Sequence, residues 1–161
     1  MALRNIVTVG DPILKRKCRD IGEITPRINT LIDDMIETMR EAEGVGIAAP
    51  QVGVARKLCI ISPEEEVIKV LIDPEILESK GEVESSEGCL SVPGKIGIVK
   101  RPEYIKVKYR DRKGREITEE MEGFEAIVAS HELDHLEGRL YIEKATNIRN
   151  AEDMEEGEEK S

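Results

Sequence analysis

The chain is poor in rings. It has no tryptophan, one phenylalanine and three tyrosines, so its core must be built from Ile, Val and Leu, and it lacks the aromatic platforms on which single-stranded nucleic acids stack. It has no apolar run near the roughly 18 residues that a membrane-spanning helix needs. Its first residues, Met1-Ala2-Leu3-Arg4-Asn5-Ile6, carry no apolar block of the secretory kind, so the cytoplasm is the expected compartment. Positive charge is in deficit as well: 24 Lys and Arg stand against 34 Asp and Glu, a net charge of −10. That balance argues against DNA and membranes as partners. The Glu, Lys and Arg richness leans towards heat adaptation.

Cysteine is sparse and odd in number. Cys18, Cys59 and Cys89 do not make a disulfide framework. Glutamine occurs once, as Gln51, and histidine twice, as His131 and His135. Both histidines are spaced to share one helix face, one turn apart.

At 161 residues the chain is sized for one domain. We place it over residues 1–148, with 149–161 as an acidic, disordered tail: residues 151–161 carry six acids and one base, too little apolar surface to fold. A first helix is expected over about 26–42. Thr25 caps it, Pro26 opens it, and Ile28, Leu31, Ile32, Met35, Ile36 and Met39 recur at spacings of three and four. Gly44 to Gln51 is a shaped loop, with Gly44, Gly46 and Pro50 close together. Strands are expected at 57–62 and 67–73, ended by Pro63 and Pro74. A further strand covers 105–109, a turn 111–114, and a returning strand 116–121. A second helix runs from about Phe124 to Leu136. Residues 95–115 hold nine bases and two acids. Acids on the returning strand can pair with them, which outweighs a role as an RNA-docking patch.

His131-Glu132-Leu133-Asp134-His135 is a His-Glu-x-x-His pattern inside the second helix. Residues i and i+4 project together, so both imidazoles can hold one metal ion. Glu132 is rotated away from that pair and can act as general base on a water at the metal. The flanking Ala-Ile-Val-Ala-Ser points to a buried helix, where two imidazoles and a carboxylate without a metal would be costly. A tetrahedral site needs another ligand, and with no third histidine a carboxylate or a cysteine must supply it. Cys89, in Glu87-Gly88-Cys89-Leu90-Ser91, is one candidate. Cys59 reads as core, and Cys18 sits among charges near the N-terminus.

Gly44-Val45-Gly46-Ile47-Ala48-Ala49-Pro50-Gln51, Glu87-Gly88-Cys89-Leu90-Ser91 and His131-Glu132-Leu133-Asp134-His135 together resemble the three signature motifs of the peptide deformylase family, bacterial type, in order and spacing. Gly10-Asp11-Pro12-Ile13-Leu14 is also similar to the start of that family. The resemblance covers about residues 3–145. It implies an α+β fold in which antiparallel β-sheets pack around a central metal-binding helix, with an N-terminal helix beside them. It implies Cys89, His131 and His135 as metal ligands, Glu132 as general base and acid, and Gln51 with the backbone N–H of Leu90 as oxyanion donors. The metal would be Fe(II), with Zn, Ni or Co as substitutes. The implied reaction is hydrolysis of the formyl group from the N-terminal formyl-methionine of nascent peptides, with a transient ribosome contact as an expectation.

Val45, Leu90, Phe124, Ile127 and Val128 match positions of the family's methionine pocket, although core packing is an equal reading for Val128. Gly46 and Gly88 would let a peptide backbone approach, or serve ordinary turns. Glu87 and Arg101 match structural partners, and Asp134 points away from the histidine face. The acidic C-terminal segment departs from the basic docking helix of some bacterial members. Two rivals stand beside this reading: a zinc metallopeptidase on the same helix, and a non-catalytic metal-binding module.

Overall fold

The computed structural model describes residues 2–151. Helix α1 spans Pro26–Glu41 and α2 spans Phe124–Leu136. The Thr25 side chain accepts the N–H of Ile28, and Pro26 fills the first turn, where a missing N–H costs nothing. Both helices follow the expected positions.

Among the described residues, eight strands form two antiparallel sheets. They are β1 Gly46–Ala48, β2 Leu58–Ile61, β3 Lys69–Lys80, β4 Val83–Cys89, β5 Val92–Arg101, β6 Tyr104–Arg110, β7 Glu116–Glu122 and β8 Thr146–Asn150. The first sheet has the order β1-β2-β3-β6-β7 and the second the order β4-β5-β8. This is the expected α+β architecture around the metal-binding helix.

Two apolar clusters lie on opposite faces of the larger sheet. Ile47, Ile60 and Ile72 pack with Ile28, Leu31, Ile32, Met35 and Met39 of α1. Ala48, Cys59, Ile61 and Leu71 pack with Ala126, Ala129 and Leu133 of α2. Covered on both faces, β1 and β2 are buried at every position, which is why their sequence is continuously apolar rather than alternating. α2 is buried over most of its circumference, so its sequence carries little helical amphipathicity. Cys59 belongs to this core.

One expectation about the strands needs correction. Pro74 does not end β3, which continues to Lys80. A register shift falls between Ile72 and Glu75, so Pro74 sits at an irregularity that needs no ladder N–H. Asp73 there has φ +50°, and its carboxylate accepts the N–H groups of Ile21 and Gly22 at 2.7 and 3.2 Å. Around Cys89, β4 and β5 form a hairpin that turns through Leu90 and Ser91.

The bases of 95–115 are largely matched by acids. Lys106 lies between Glu78 and Glu120, and Lys100 lies opposite Glu84. Lys108 pairs with Glu116, Arg110 with Asp73, Arg112 with Asp33 and Arg115 with Asp111. At the C-terminal end, Arg149 and Asn150 belong to β8, opposite Ile96 and Lys95. The expected tail over 149–161 therefore does not start at 149, because Arg149 and Asn150 are held in β8, and its residues 152–161 lie outside the described residues.

Candidate metal centre

Three elements converge on one buried cluster. α2 presents His131 and His135, the β4–β5 hairpin presents Cys89, and a 3-10 turn, Ala49–Val52, presents Gln51. One ligand atom from each of Cys89, His131 and His135 lies within 4.8 Å of the others, and all three residues are buried. Cys89 Sγ is 3.4 Å from His135 Nε2. The hairpin thus brings a candidate third donor beside the two histidines, a cysteine rather than a carboxylate.

The donors are oriented from behind. Glu87 Oε1 is 2.8 Å from His131 Nδ1. A carboxylate there holds the proton on Nδ1 and leaves Nε2 free to ligate. His131 Nε2 and His135 Nδ1 are buried and have no hydrogen-bond partner among the described residues. An orphaned imidazole nitrogen beside a thiol and a second imidazole suits a divalent transition metal, since these ligand types favour Zn, Fe, Ni and Co. Burial, aided by His131, pushes the His135 pKa well below its ordinary value, which keeps that ring in the neutral form that binds metal.

Glu87 is itself held in place. Arg101, fully enclosed, donates to Glu87 through Nε at 2.9 Å and Nη2 at 2.8 Å, and to Asp134 through Nη1 at 2.7 Å. Burial by itself raises Glu87, but the hydrogen bonds from Arg101 and His131 outweigh it and bring its pKa down to about 2. Asp134 also takes Lys144 at 2.8 Å. It faces this ion pair network and not the ligand set, as expected.

Glu132 has no solvent exposure, and neither carboxylate oxygen has a hydrogen-bond partner among the described residues. Burial pushes its pKa up to about 7, a suitable value for taking and returning a proton near neutrality. The residue against it is Gly46: a Cβ added at Gly46 would come within 2.8 Å of Glu132 Cδ and 2.9 Å of Cγ. Gln51 is locked as well. The Ala48 N–H donates to its Oε1 at 2.9 Å, so its Nε2 must face the other way, 3.2 Å from Ser91 Oγ and 3.5 Å from Cys89 Sγ.

The remaining predicted residues are distributed as follows. Gly88 lies buried at an irregularity between the Glu87–Gly97 and Cys89–Val92 pairs, where a strand can re-aim its side chains. A Cβ at Gly44 would meet Leu90 Cδ1 at 3.0 Å, so the loop before β1 faces the hairpin turn. Val45 and Ile127 are half-buried, and Phe124 is 42% exposed. Val128 packs in the core beside Ala129 and Leu133. Sequence reasoning gave Ser91 no role of its own, yet it is fully buried against Gln51. Its membership in the cysteine motif was the only signal.

Known proteins share this fold. The polypeptide deformylase family model matches residues 3–151. A peptide deformylase of Agathobacter rectalis is 54% identical over 144 residues, 89% of this chain and 90% of that protein. The crystal structure of peptide deformylase from Thermotoga maritima aligns with a TM-score of 0.88 at 36% identity, covering 91% of this chain and 99% of that one. The structure of the Ehrlichia chaffeensis peptide deformylase in complex with actinonin aligns with a TM-score of 0.87 at 34% identity, covering 91% of each chain. Matched along nearly its whole described length, with its three motifs folded into one buried centre, the chain belongs to the polypeptide deformylase family.

Proposed function

We propose that this chain hydrolyses the formyl group from the N-terminal formyl-methionine of newly made polypeptides and releases formate. The observation that carries the mechanism is the enclosed, unpartnered carboxylate of Glu132, adjacent in sequence to His131. A divalent metal held by Cys89, His131 and His135 would supply a Lewis acid for the formyl carbonyl and lower the pKa of a water. Glu132 takes a proton as water adds to the formyl carbon. It then returns that proton to the amine nitrogen as the C–N bond breaks. Gln51 Nε2 and the Leu90 N–H steady the oxygen on which negative charge develops.

The substrate reading follows from the edges of the sheets. β1 is an edge strand paired only with β2, so an extended peptide has backbone groups to pair with. Val45, Leu90, Phe124 and Ile127 take the methionine side chain, with Val128 backing them from the core. Gly46 and Gly88 keep the path beside the site narrow in side-chain bulk. Fe(II) is the metal this reading assigns, with Zn, Ni or Co as replacements. The catalytic unit is one domain, the expected 1–148 extended by β8 to Asn150, acting in the cytoplasm.

The test uses protein purified without air and loaded separately with Fe(II), Ni(II) and Zn(II). Formate released from formyl-Met-Ala, with the Met–Ala bond intact, supports the reading. Cleavage between Met and Ala would indicate a peptidase, and no product at full metal occupancy would indicate a binding module. Glu132→Gln should keep its metal while turnover falls by about 10²–10⁴.

A further inference from the structure

One stretch near the N-terminus touches all three elements that build the centre, and no role has been given to it. The Val7 N–H donates to the Gln51 carbonyl at 2.7 Å, and the Val9 N–H donates to the Ser91 carbonyl at 2.7 Å. Two residues apart on an extended chain, these donors point the same way. They therefore bridge the 3-10 turn that carries Gln51 to the hairpin that carries Cys89, elements joined to different sheets. The chain then turns at Thr8–Asp11. Further on, the Cys18 N–H donates at 2.9 Å to the carbonyl of Leu136, the last residue of α2. At that helix end Gly138 has φ +76°, and a Cβ there would lie 2.7 Å from the Lys15 carbonyl carbon. The same stretch is thus bonded to the Gln51 turn and the Cys89 hairpin and seated against the end of the histidine helix.

We propose that residues 7–18 are a positioning strap. The strap sets the separation between Gln51 and the Cys89–Ser91 turn, and seats both against α2. Gln51 Nε2 lies 3.5 Å from Cys89 Sγ and 3.2 Å from Ser91 Oγ. The backbone bonds from Val7 and Val9 hold the same two residues, Gln51 and Ser91, from the other side. Among the described residues, the direct hydrogen bonds left between the hairpin and the turn without the strap are that side-chain pair. This inference rests on the proposed reaction for its kinetic readout alone.

The turn provides a clean variant. The Asp11 N–H donates to the Thr8 carbonyl at 3.2 Å, and Gly10 has φ +108°. This is a type II turn with Val9 at its second position, where proline is readily accommodated. Val9→Pro therefore removes the N–H given to Ser91 without opposing the turn. Thr8→Pro is the control, because the Thr8 N–H has no partner among the described residues.

In the wild-type protein, amide hydrogen exchange should be slow at Val7 and Val9 and fast at Thr8. Val9→Pro, loaded with Co(II), should lose its metal to a chelator about tenfold faster and show a shifted thiolate-to-cobalt absorption band; kcat should fall by about tenfold with KM little changed, as expected for a small displacement of positioned groups. Thr8→Pro should match wild type in each respect. Exchange of Val7 and Val9 at free-chain rates would overturn the proposal. So would a folded Val9→Pro with the wild-type chelator rate and spectrum. If Val9→Pro fails to fold, the exchange measurement on wild type decides. If no variant releases formate, the reaction is wrong, while the exchange and metal-loss results still judge the strap.

Discussion

A missing methyl group at Gly46 lets β1 lie against the Glu132 side chain. Nothing else in the neighbourhood of Glu132 bonds its oxygens among the described residues, so its place is set by packing alone. Gly46→Ala must move either the strand or the carboxylate. We expect metal content to stay at wild type while kcat falls by about 10², the scale of a 1 Å misplacement at a reacting centre. Metal analysis alongside steady-state kinetics checks this, and an unchanged kcat would show that the carboxylate tolerates the shift. Cys89→Ala should instead lose metal, because it removes one of three clustered donors. Unchanged metal content in that variant would remove Cys89 from the site.

Elements meet through a few buried or clasped charges. Arg101 of β5 joins Glu87 of β4 to Asp134 of α2, and through Glu87 it reaches His131. Arg101→Met would leave the enclosed Glu87 without its arginine, while Asp134 keeps Lys144; breaking such a buried pair costs about 3–5 kcal/mol. Denaturant unfolding should show that loss. Metal affinity should also fall, by about 10–100-fold, as for other groups that orient a ligating histidine. Helix α1 has its own clasp. Asp34 accepts the Ala2 N–H at 2.8 Å and Arg4 Nε at 3.0 Å, while Thr38 Oγ1 accepts the Arg4 N–H at 2.9 Å. The Ala2 hydrogen bond, joined by Arg4, outweighs burial and lowers the Asp34 pKa from 3.8. Its stabilisation is therefore complete above the unfolded value and is lost as pH falls through the lower folded value. Asp34→Asn should be less stable than wild type at neutral pH. The two should converge as acid is added below pH 3.8, which unfolding curves at stepped pH would show.

At the scale of the whole molecule, the centre lies where elements of both sheets meet α2, so metal binding should act on global stability. A ligand that binds only the folded chain adds about 2.7 kcal/mol at a hundredfold excess over its Kd. Chelation should lower Tm and reloading should restore it. A Tm indifferent to metal would mean that the site forms without coupling to the rest of the fold. The charge arrangement belongs to this scale too. The basic strand β6 is flanked by Glu75 and Glu78 on one side and by Glu116, Glu119 and Glu120 on the other. A stretch that is strongly basic in sequence is thereby largely neutralised in the sheet. The outer strand β7, rich in Glu, presents an edge that discourages pairing with other chains.

Much of this was set by local patterns. The apolar spacing of α1, its Thr25–Pro26 start, the i, i+4 histidines and the alternation of 105–109 are short-range features, and helices and strands respond to short-range features directly. The β4–β5 hairpin was less legible, because its polar residues face solvent while Glu87 and Cys89 face a buried centre that no local pattern describes. β3 ran past Pro74 because a bulge, fixed by its partner β6, removed the need for that N–H. The sequence by itself determined which residue types could hold a metal and move a proton. Only the tertiary structure decided that Ser91 fixes Gln51, that Gly46 makes room for Glu132, and that Val7 and Val9 reach the Gln51 and Ser91 carbonyls. Those pairs are separated by about 40 to 86 residues. Contacts at such separations follow from how sheets and helices stack, which a window of neighbouring residues does not contain.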